Sequence, residues 1–292
     1  MATYLAVGDA GRILCEGADC SGAQDSGIDE VLFGAARSSF TFSNGVPLRL
    51  VVGQDGTILR MRSGGQWRKF ASGTTRNLKD VTIAPGTDVA WAVGDEGTIL
   101  KSSDAGETWG VQSVFGISVH LNAVHAVNKF VVWAAGDHGK VLFTTDGGGN
   151  WQIARWGEHG EVALRTAKHL RSIVGLAADR FAVVGDDGVY MQGKQHHPWD
   201  LQTPATVDFT GLAISGELKA ISGDDGLVMI KDQGFHGWRA HDTGTSENLN
   251  GIIIAGDRIT AVGNNGIIVM STDRGATWTT KTRGTKHLWG VA

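Results

Sequence analysis

The sequence predicts an all-β protein, a ring of seven four-stranded antiparallel blades forming one β-propeller over residues 1–292, and three observations predict it. A short hairpin recurs seven times at the period of one blade. A Ser/Thr-x-Asp-x-Gly-x-x-Trp frame returns at a fixed place after it. The last strand of the chain supplies what its first blade lacks. Composition agrees: 43 Gly against only 4 Pro suits many tight turns better than a disordered linker.

The hairpin reads AVGDAGRIL, VVGQDGTIL, AVGDEGTIL, AAGDHGKVL, VVGDDGVYM, ISGDDGLVM and AVGNNGIIV. Its first glycines, Gly8, Gly53, Gly94, Gly136, Gly185, Gly223 and Gly263, are spaced by 45, 41, 42, 49, 38 and 40 residues. Each copy is a buried Val/Ala-rich strand, a polar pair with a second Gly that supplies the positive φ angles of a tight turn, and a returning strand. A further strand precedes the hairpin, as in LKDVTIA (78–84), LNAVHAV (121–127), LRSIVGLA (170–177), FTGLAIS (209–215) and LNGIIIA (249–255). A fourth follows the Asp-containing turn and is expected to carry the Trp.

The ends complete the ring. LWGVA at 288–292 has the pattern of a first strand with no second strand after it, and TYLAVGDAGRIL is a second and third strand with no first strand before it. Blade 1 is therefore expected to be shared between residues 1–33 and 286–292. Pairing the two ends leaves no open sheet edge.

The frame stands intact as SSDAGETW (Ser102, Asp104, Gly106, Trp109), TTDGGGNW (Thr144, Asp146, Gly148, Trp151) and STDRGATW (Ser271, Asp273, Gly275, Trp278). The Asp is a short acceptor for turn N–H groups, the Gly relieves the bend, and the Trp is a large ring to bury between blades. Degenerate copies keep the ring, SGGQW retaining Trp67 and DQGFHGW retaining Trp238, and the turn before Trp199 has lost the Asp and kept the ring, as a packing device can. The frame resembles the Asp-box, or bacterial neuraminidase repeat. The run of VGDxGxI hairpins followed by SxDxGxTW most resembles the photosystem II stability and assembly factor family, a WD-repeat/YVTN/BNR-like group. The resemblance covers nearly the whole chain and implies a non-catalytic propeller that binds protein partners.

Catalytic readings find little support. A sialidase-like site resembles a tyrosine nucleophile primed by a carboxylate with three gripping arginines, whereas this chain has only Tyr4 and Tyr190, both inside hairpin strands, and no FRIP-like motif. Repeat-turn acids are already explained without the paired carboxylates of a glycosidase. No HxxxH or HExxH spacing occurs, and His196–His197 beside Pro198 reads as a surface turn. Cys15 and Cys20 are structural, free or locally bridged, because a structural zinc site takes four ligands. No enzyme activity, cofactor or metal is expected.

Formal charge is −4, from 26 Lys+Arg and 30 Asp+Glu, without a long run of one sign, so nucleic acid is not an expected partner. No run reaches 18 apolar residues and no basic n-region opens the chain, which leads to the expectation of a cytoplasmic protein without a membrane span, or a virion component if phage-encoded.

Binding candidates lie on hairpins and loops. Asp95, Asp137, Asp186 and Asp224, with Asp9, occupy one hairpin position that Gln54 and Asn264 complete. They would make a negative channel mouth, although bonding within the turn accounts for the residue type. Residues 15–30 read as an acidic, Gly-rich insertion in blade 1. Residues 156–171 add length and a basic cluster, Arg165, Lys168, His169 and Arg171, expected on the same face as the hairpin acids. Trp91, Trp156 and Trp289 lie outside the Asp-box position. The expected role is an assembly factor or a structural component of a larger complex, a phage tail or capsid-associated protein being one form of it. A lectin stacking glycans on exposed aromatics is the alternative, and a sialidase-like glycosidase is a lesser one.

Overall fold

The computed structural model describes all residues except 1–3, 18–19, 42–46, 62–64, 113, 115, 155–167, 195–196, 198 and 234–236, together with the backbone alone of 39–41. Among these residues there are seven sheets of four antiparallel strands and no α-helix. Six sheets run in chain order from inner to outer strand. The seventh takes its inner strand, Leu288–Val291, from the end of the chain and the other three, Tyr4–Gly8, Ile13–Glu16 and Ser21–Gln24, from its start. Val291 stands opposite Ala6, and Leu5 and Ala292 exchange both backbone hydrogen bonds, at 2.7 and 2.9 Å. The ring is shut by strand pairing, as the two ends of the sequence predict.

Burial is greatest in the second strands, more complete than in the channel-lining first strands, and least in the outer strands. Four of the second strands, among them Ala90–Gly94 and Val132–Gly136, are buried at every position, and the other three at all but one, because both of their faces are covered by neighbouring blades. Outer strands such as Thr279–Thr282 are exposed. The apolar core is accordingly a set of seams between blades. Leu50, Val52 and Ile58 of blade 2, for example, pack on Leu78, Val81 and Ala92 of blade 3.

Two expectations need correction. Residues 15–30 are no mere insertion: Ser21–Gln24 is the outer strand of blade 1 and pairs with Ile13–Glu16. Cys15 and Cys20 are bridged, their Cα atoms 5.8 Å apart, and hold the loop between those two strands. In the intact Asp-boxes the Trp stands just before the fourth strand, at the end of the turn, as Trp109 before Gly110–Val111 and Trp278 before Thr279–Thr282. From there its ring reaches the preceding blade.

Candidate functional site: the hairpin face and channel mouth

The second and third strands of each blade are joined by a turn with two left-handed residues, Glu96 (φ 54°) and Gly97 (φ 70°) in blade 3, closed by the Thr98 N–H on the Asp95 carbonyl at 3.1 Å. This is the twist-matched hairpin turn that two positive φ angles permit. The same pair of positive φ angles recurs in all seven blades, from Ala10–Gly11 to Asn265–Gly266.

The turn leans onto the head of its own inner strand. Asp95 N–H donates to Asn77 O at 2.9 Å, and the equivalent bond occurs in every blade, as at Asp9 to His287 O (3.1 Å) and Asn264 to Asn248 O (2.9 Å). This explains the first glycine of the repeat. A Cβ on Gly94 would lie 2.0 Å from Asn77 O, so only a bare Cα lets the carbonyl approach.

Turn acids and inner-strand heads thus share one end of the molecule, around the mouth of a central channel whose cavity is about 410 Å³. The second residue of each inner strand faces this mouth. Lys79, Asn122, Arg171 and Asn250 are polar, whereas Phe33 and Trp289 place two rings on neighbouring blades. Lys79 Nζ stands 4.6 Å from the centre of the Phe33 ring, and Trp289 Nε1 donates to Asp9 Oδ1 at 2.7 Å.

Asp95, Asp137 and Asp186 spend their oxygens on neighbours rather than within their own turns. Asp95 accepts from Asn77 Nδ2 at 2.9 Å and lies 3.1 Å from His120 Nδ1 and 3.7 Å from Lys79 Nζ. Asp137 accepts from Asn122 Nδ2 at 2.9 Å and lies 2.8 Å from His169 Nδ1. Burial opposes the charge of Asp137, but the hydrogen bonds from Asn122 and His169 prevail and hold its carboxyl below the usual range. Asp186 accepts from Arg171 Nε at 2.7 Å. Asp224 sits beside Asp208 and Asp225, and burial followed by those two charges pushes its carboxyl up.

The basic candidates belong to the same network. Lys168 pairs with Asp187, His169 with Asp137, and Arg171 with Asp186, with Asp208 at 3.9 Å. The described members of the two predicted clusters therefore stand on one face, where His169 and Arg171 meet two of the candidate acids. Arg165, the fourth basic candidate, lies outside the described residues, as do Trp156, His196 and Pro198.

One repeated position escaped the sequence reading. The residue just before each inner strand is Asn77, His120, His169, Asp208, Asn248 or His287, with Val31 the exception. In five cases its side chain accepts the N–H of the left-handed turn residue of the preceding blade. Asp55 N–H donates to Asn77 Oδ1 at 3.1 Å, Glu96 N–H to His120 Nδ1 at 3.3 Å and Asp187 N–H to Asp208 Oδ1 at 2.8 Å. Asp225 N–H donates to Asn248 Oδ1 at 3.1 Å and Asn265 N–H to His287 Nδ1 at 3.3 Å. The signal was present as an Asn, His or Asp before a Leu or Phe at the blade period, yet it carries no chemistry until the fold sets one blade beside the next.

Inside the channel Asp80 interrupts a ring of small residues that includes Gly34, Ala123, Ser172 and Gly211. Its carboxylate accepts from Val81 N–H and from Val124 N–H of the next blade, both at 2.8 Å, yet enclosure pushes its pKa up to about 7. His125 accepts from Gly175 N–H at 3.1 Å, and burial lowers its pKa to about 4.

The Asp-boxes occupy the opposite face, in the turns between third and fourth strands. Ser102 Oγ donates to Asp104 Oδ1 at 2.8 Å and accepts the Gly106 N–H at 2.8 Å, while Asp104 Oδ1 takes the Thr108 N–H at 2.9 Å. Thr144 with Asp146, and Ser271 with Asp273, repeat the arrangement, Thr144 Oγ1 accepting Gly148 N–H at 2.9 Å and Ser271 Oγ accepting Gly275 N–H at 2.8 Å. Donors hold both acids at about 2, Asn150 for Asp146 and Thr277 for Asp273. Trp109 and Trp278 pack on the preceding blade and donate to the carbonyls of Gly106 (3.2 Å) and Gly275 (3.1 Å). Trp151 donates instead to Gln112 Oε1 of blade 3 at 3.0 Å. Among the three tryptophans outside this position, Trp91 is wholly buried and Trp289 is partly exposed at the opposite mouth.

Residues 59–159, about a third of the chain, match the model of the family described as photosynthesis system II assembly factor YCF48. That span holds two of the three intact Asp-boxes. No curated protein matches the sequence. Among solved structures, "YCF48 bound to D1 peptide" is 14% identical, with a TM-score of 0.67 over 90% of this chain and 92% of that one. "YCF48 from Cyanidioschyzon merolae" is 15% identical, with a TM-score of 0.69 over 89% of this chain and 88% of that one. "Crystal structure of RRP9 WD40 repeats" is as similar in shape, at 13% identity and a TM-score of 0.68 over 99% of this chain and 90% of that one. At such identities the structural likeness speaks for the fold alone. The chain is thus a seven-bladed Asp-box propeller that resembles the photosynthesis system II assembly factors, by sequence across residues 59–159 and by fold around the ring.

Proposed function

We propose that this propeller is a non-catalytic docking protein that holds a polypeptide partner during assembly of a larger complex. The match of residues 59–159 to an assembly-factor family carries the reading. A solved propeller of that kind is described with a peptide bound, which supports a peptide-type partner here. The internal chemistry is consistent with it. The Asp-box carboxylates are occupied by turn donors, and Asp95, Asp137 and Asp186 by side chains around the mouth, so these groups serve cohesion and leave docking to the exposed faces.

The experiment is affinity purification of the tagged full chain at native abundance, identification of what accompanies it, and reconstitution with the purified candidate. The expected result is a stoichiometric polypeptide partner that rebinds the purified chain. Recovery as a lone monomer from every source, or binding satisfied by free sugar, would overturn the reading.

A further inference from the structure

We propose that the Cys15–Cys20 bridge is a thiol–disulfide exchange site, at which a dithiol reductant unfastens the outer strand of blade 1 and a disulfide oxidant fastens it again. The inference is independent of the docking reading above. It starts from the turn between third and fourth strands. In six blades that turn ends on a tryptophan, Trp67, Trp109, Trp151, Trp199, Trp238 or Trp278, which stands at or just before the outer strand. Each of these rings packs into the seam with the preceding blade. Blade 1 breaks the pattern. Its turn reads EGADC (16–20), with neither the Asp-box frame nor a Trp, and Cys20 takes the place just before Ser21–Gln24.

The bridge stands where the other blades use a ring. None of the four residues of Ser21–Gln24 is buried, so the strand is held by its ladder to Ile13–Glu16, by Gly17 N–H donating to Cys20 O at 2.9 Å, and by the bridge. A cross-link over so short a loop restrains the open state by about thirtyfold. Without it, a strand that buries no side chain is left on its ladder, and its release bares the edge of Ile13–Glu16. The redox state of the pair thus decides whether the rim of blade 1 is closed or presents an open strand edge.

The two sulfurs are unequally placed. Cys15 is 3% exposed and packs with Ile13 and with Val51, Leu59 and Trp67 of blade 2, whereas Cys20 is half-buried against the same cluster. An attacking thiolate therefore meets Cys20 Sγ first. The attack forms a mixed disulfide on Cys20 and releases Cys15 as a thiolate, which takes up a proton because its apolar surroundings disfavour the charge. The second thiol of the reductant then displaces Cys20 and the reductant departs as a disulfide, so that two electrons and two protons have passed to the pair. A separation of five residues keeps the thiols near each other after reduction, and the reverse reaction needs no rearrangement of the ring.

The test uses the full chain, oxidised in air and then treated with dithiothreitol without denaturant. Thiol titration is expected to find no free thiol before treatment and two after it. Hydrogen exchange at the Ser21–Gln24 amides is expected to quicken about thirtyfold on reduction and to recover on reoxidation, whereas Thr279–Thr282, which follows an intact Asp-box, keeps its rate. Cys15→Ser with Cys20→Ser should show the fast exchange with or without dithiothreitol. Two free thiols after air oxidation, a bridge that opens only in denaturant, or a Ser21–Gln24 rate indifferent to reduction would each overturn the proposal. Equal quickening in all seven blades would do so too, since it would make the bridge a general support of the fold. Reduction is read on the unmodified chain and so remains decisive should the variant fail to fold.

Discussion

Asp80 is the residue at which packing and charge are most opposed. A carboxylate in a channel wall of Gly, Ala and Ser has lost most of its water and kept two amide donors, which explains a pKa of about 7. Between the ordinary carboxylate value and 7 the folded state binds more protons than the unfolded one, so this group's contribution to stability falls as pH rises through that window. Asp80→Asn is expected to be more stable than the wild type at pH 8, by about 2 kcal/mol, and to equal or fall below it at pH 4. Thermal melts across pH 4 to 8 check this. A variant that is less stable at every pH would show that the two amide bonds outweigh the burial. His125 slopes the other way. Its folded value, about 4, lies below the ordinary imidazole range, so its stability is lost as pH falls between the two, and His125→Asn should flatten the acid side of the same curve.

At the scale of the element, the hairpin is the unit that repeats, and both of its glycines are required. The second, such as Gly56 at φ 68°, permits the left-handed turn and also a close approach, since a Cβ there would lie 2.0 Å from Thr74 O. The first, such as Gly94, permits the close approach of the strand head. Gly94→Ala is expected to cost about 3 kcal/mol, because its Cβ meets a backbone carbonyl that cannot swing away. Gly73→Ala meets nothing within 4 Å but sits at φ 76°, and its cost should be the smaller one of backbone strain, about 1 kcal/mol. Chemical denaturation of the two variants separates collision from strain. Equal losses would show that collision with the strand head costs no more than a left-handed backbone. The bridge between Cys15 and Cys20 closes a short loop beside the outer strand of blade 1, so its removal as Cys15→Ser with Cys20→Ser is expected to lower stability by about 2 kcal/mol. An unchanged denaturation midpoint in the oxidised and reduced protein would contradict that. Disulfides persist in oxidising surroundings, and the bridge therefore bears on the expected cytoplasmic location.

At the scale of the whole molecule, seven seams of apolar side chains must all close together, and Leu288–Val291 is the strand that closes them. A chain ending at Lys286 would leave Tyr4–Gly8 with a bare edge and uncover Ala6 and Val262 of the adjoining core. It is expected to unfold at least 10 °C lower than the full chain or to aggregate, as read by calorimetry and light scattering. A monomeric truncated chain with an unaltered melting temperature would show that the ring does not depend on its clasp.

Much of this was legible beforehand for a physical reason. Turn chemistry, strand alternation and blade period are local properties, and Gly94, Asp104 and Trp109 each declare theirs within a dozen residues. The shared blade could be foreseen because a missing strand at one end matches a spare strand at the other. The side chains that Asp95 and Asp137 hold could not, since His120 and His169 come from the next blade and are distant in sequence until the ring forms. For the same reason the pairing of His169 with Asp137 and of Arg171 with Asp186, which joins the basic cluster to the acid ring, is invisible in the sequence. The sequence by itself determined a ring of seven blades stapled by Asp-boxes, because those features depend on near neighbours. Only the tertiary structure decided how the hairpin face is wired, which nitrogen meets which oxygen and where a carboxylate is enclosed, because those depend on the distances between groups that the chain brings together from different blades.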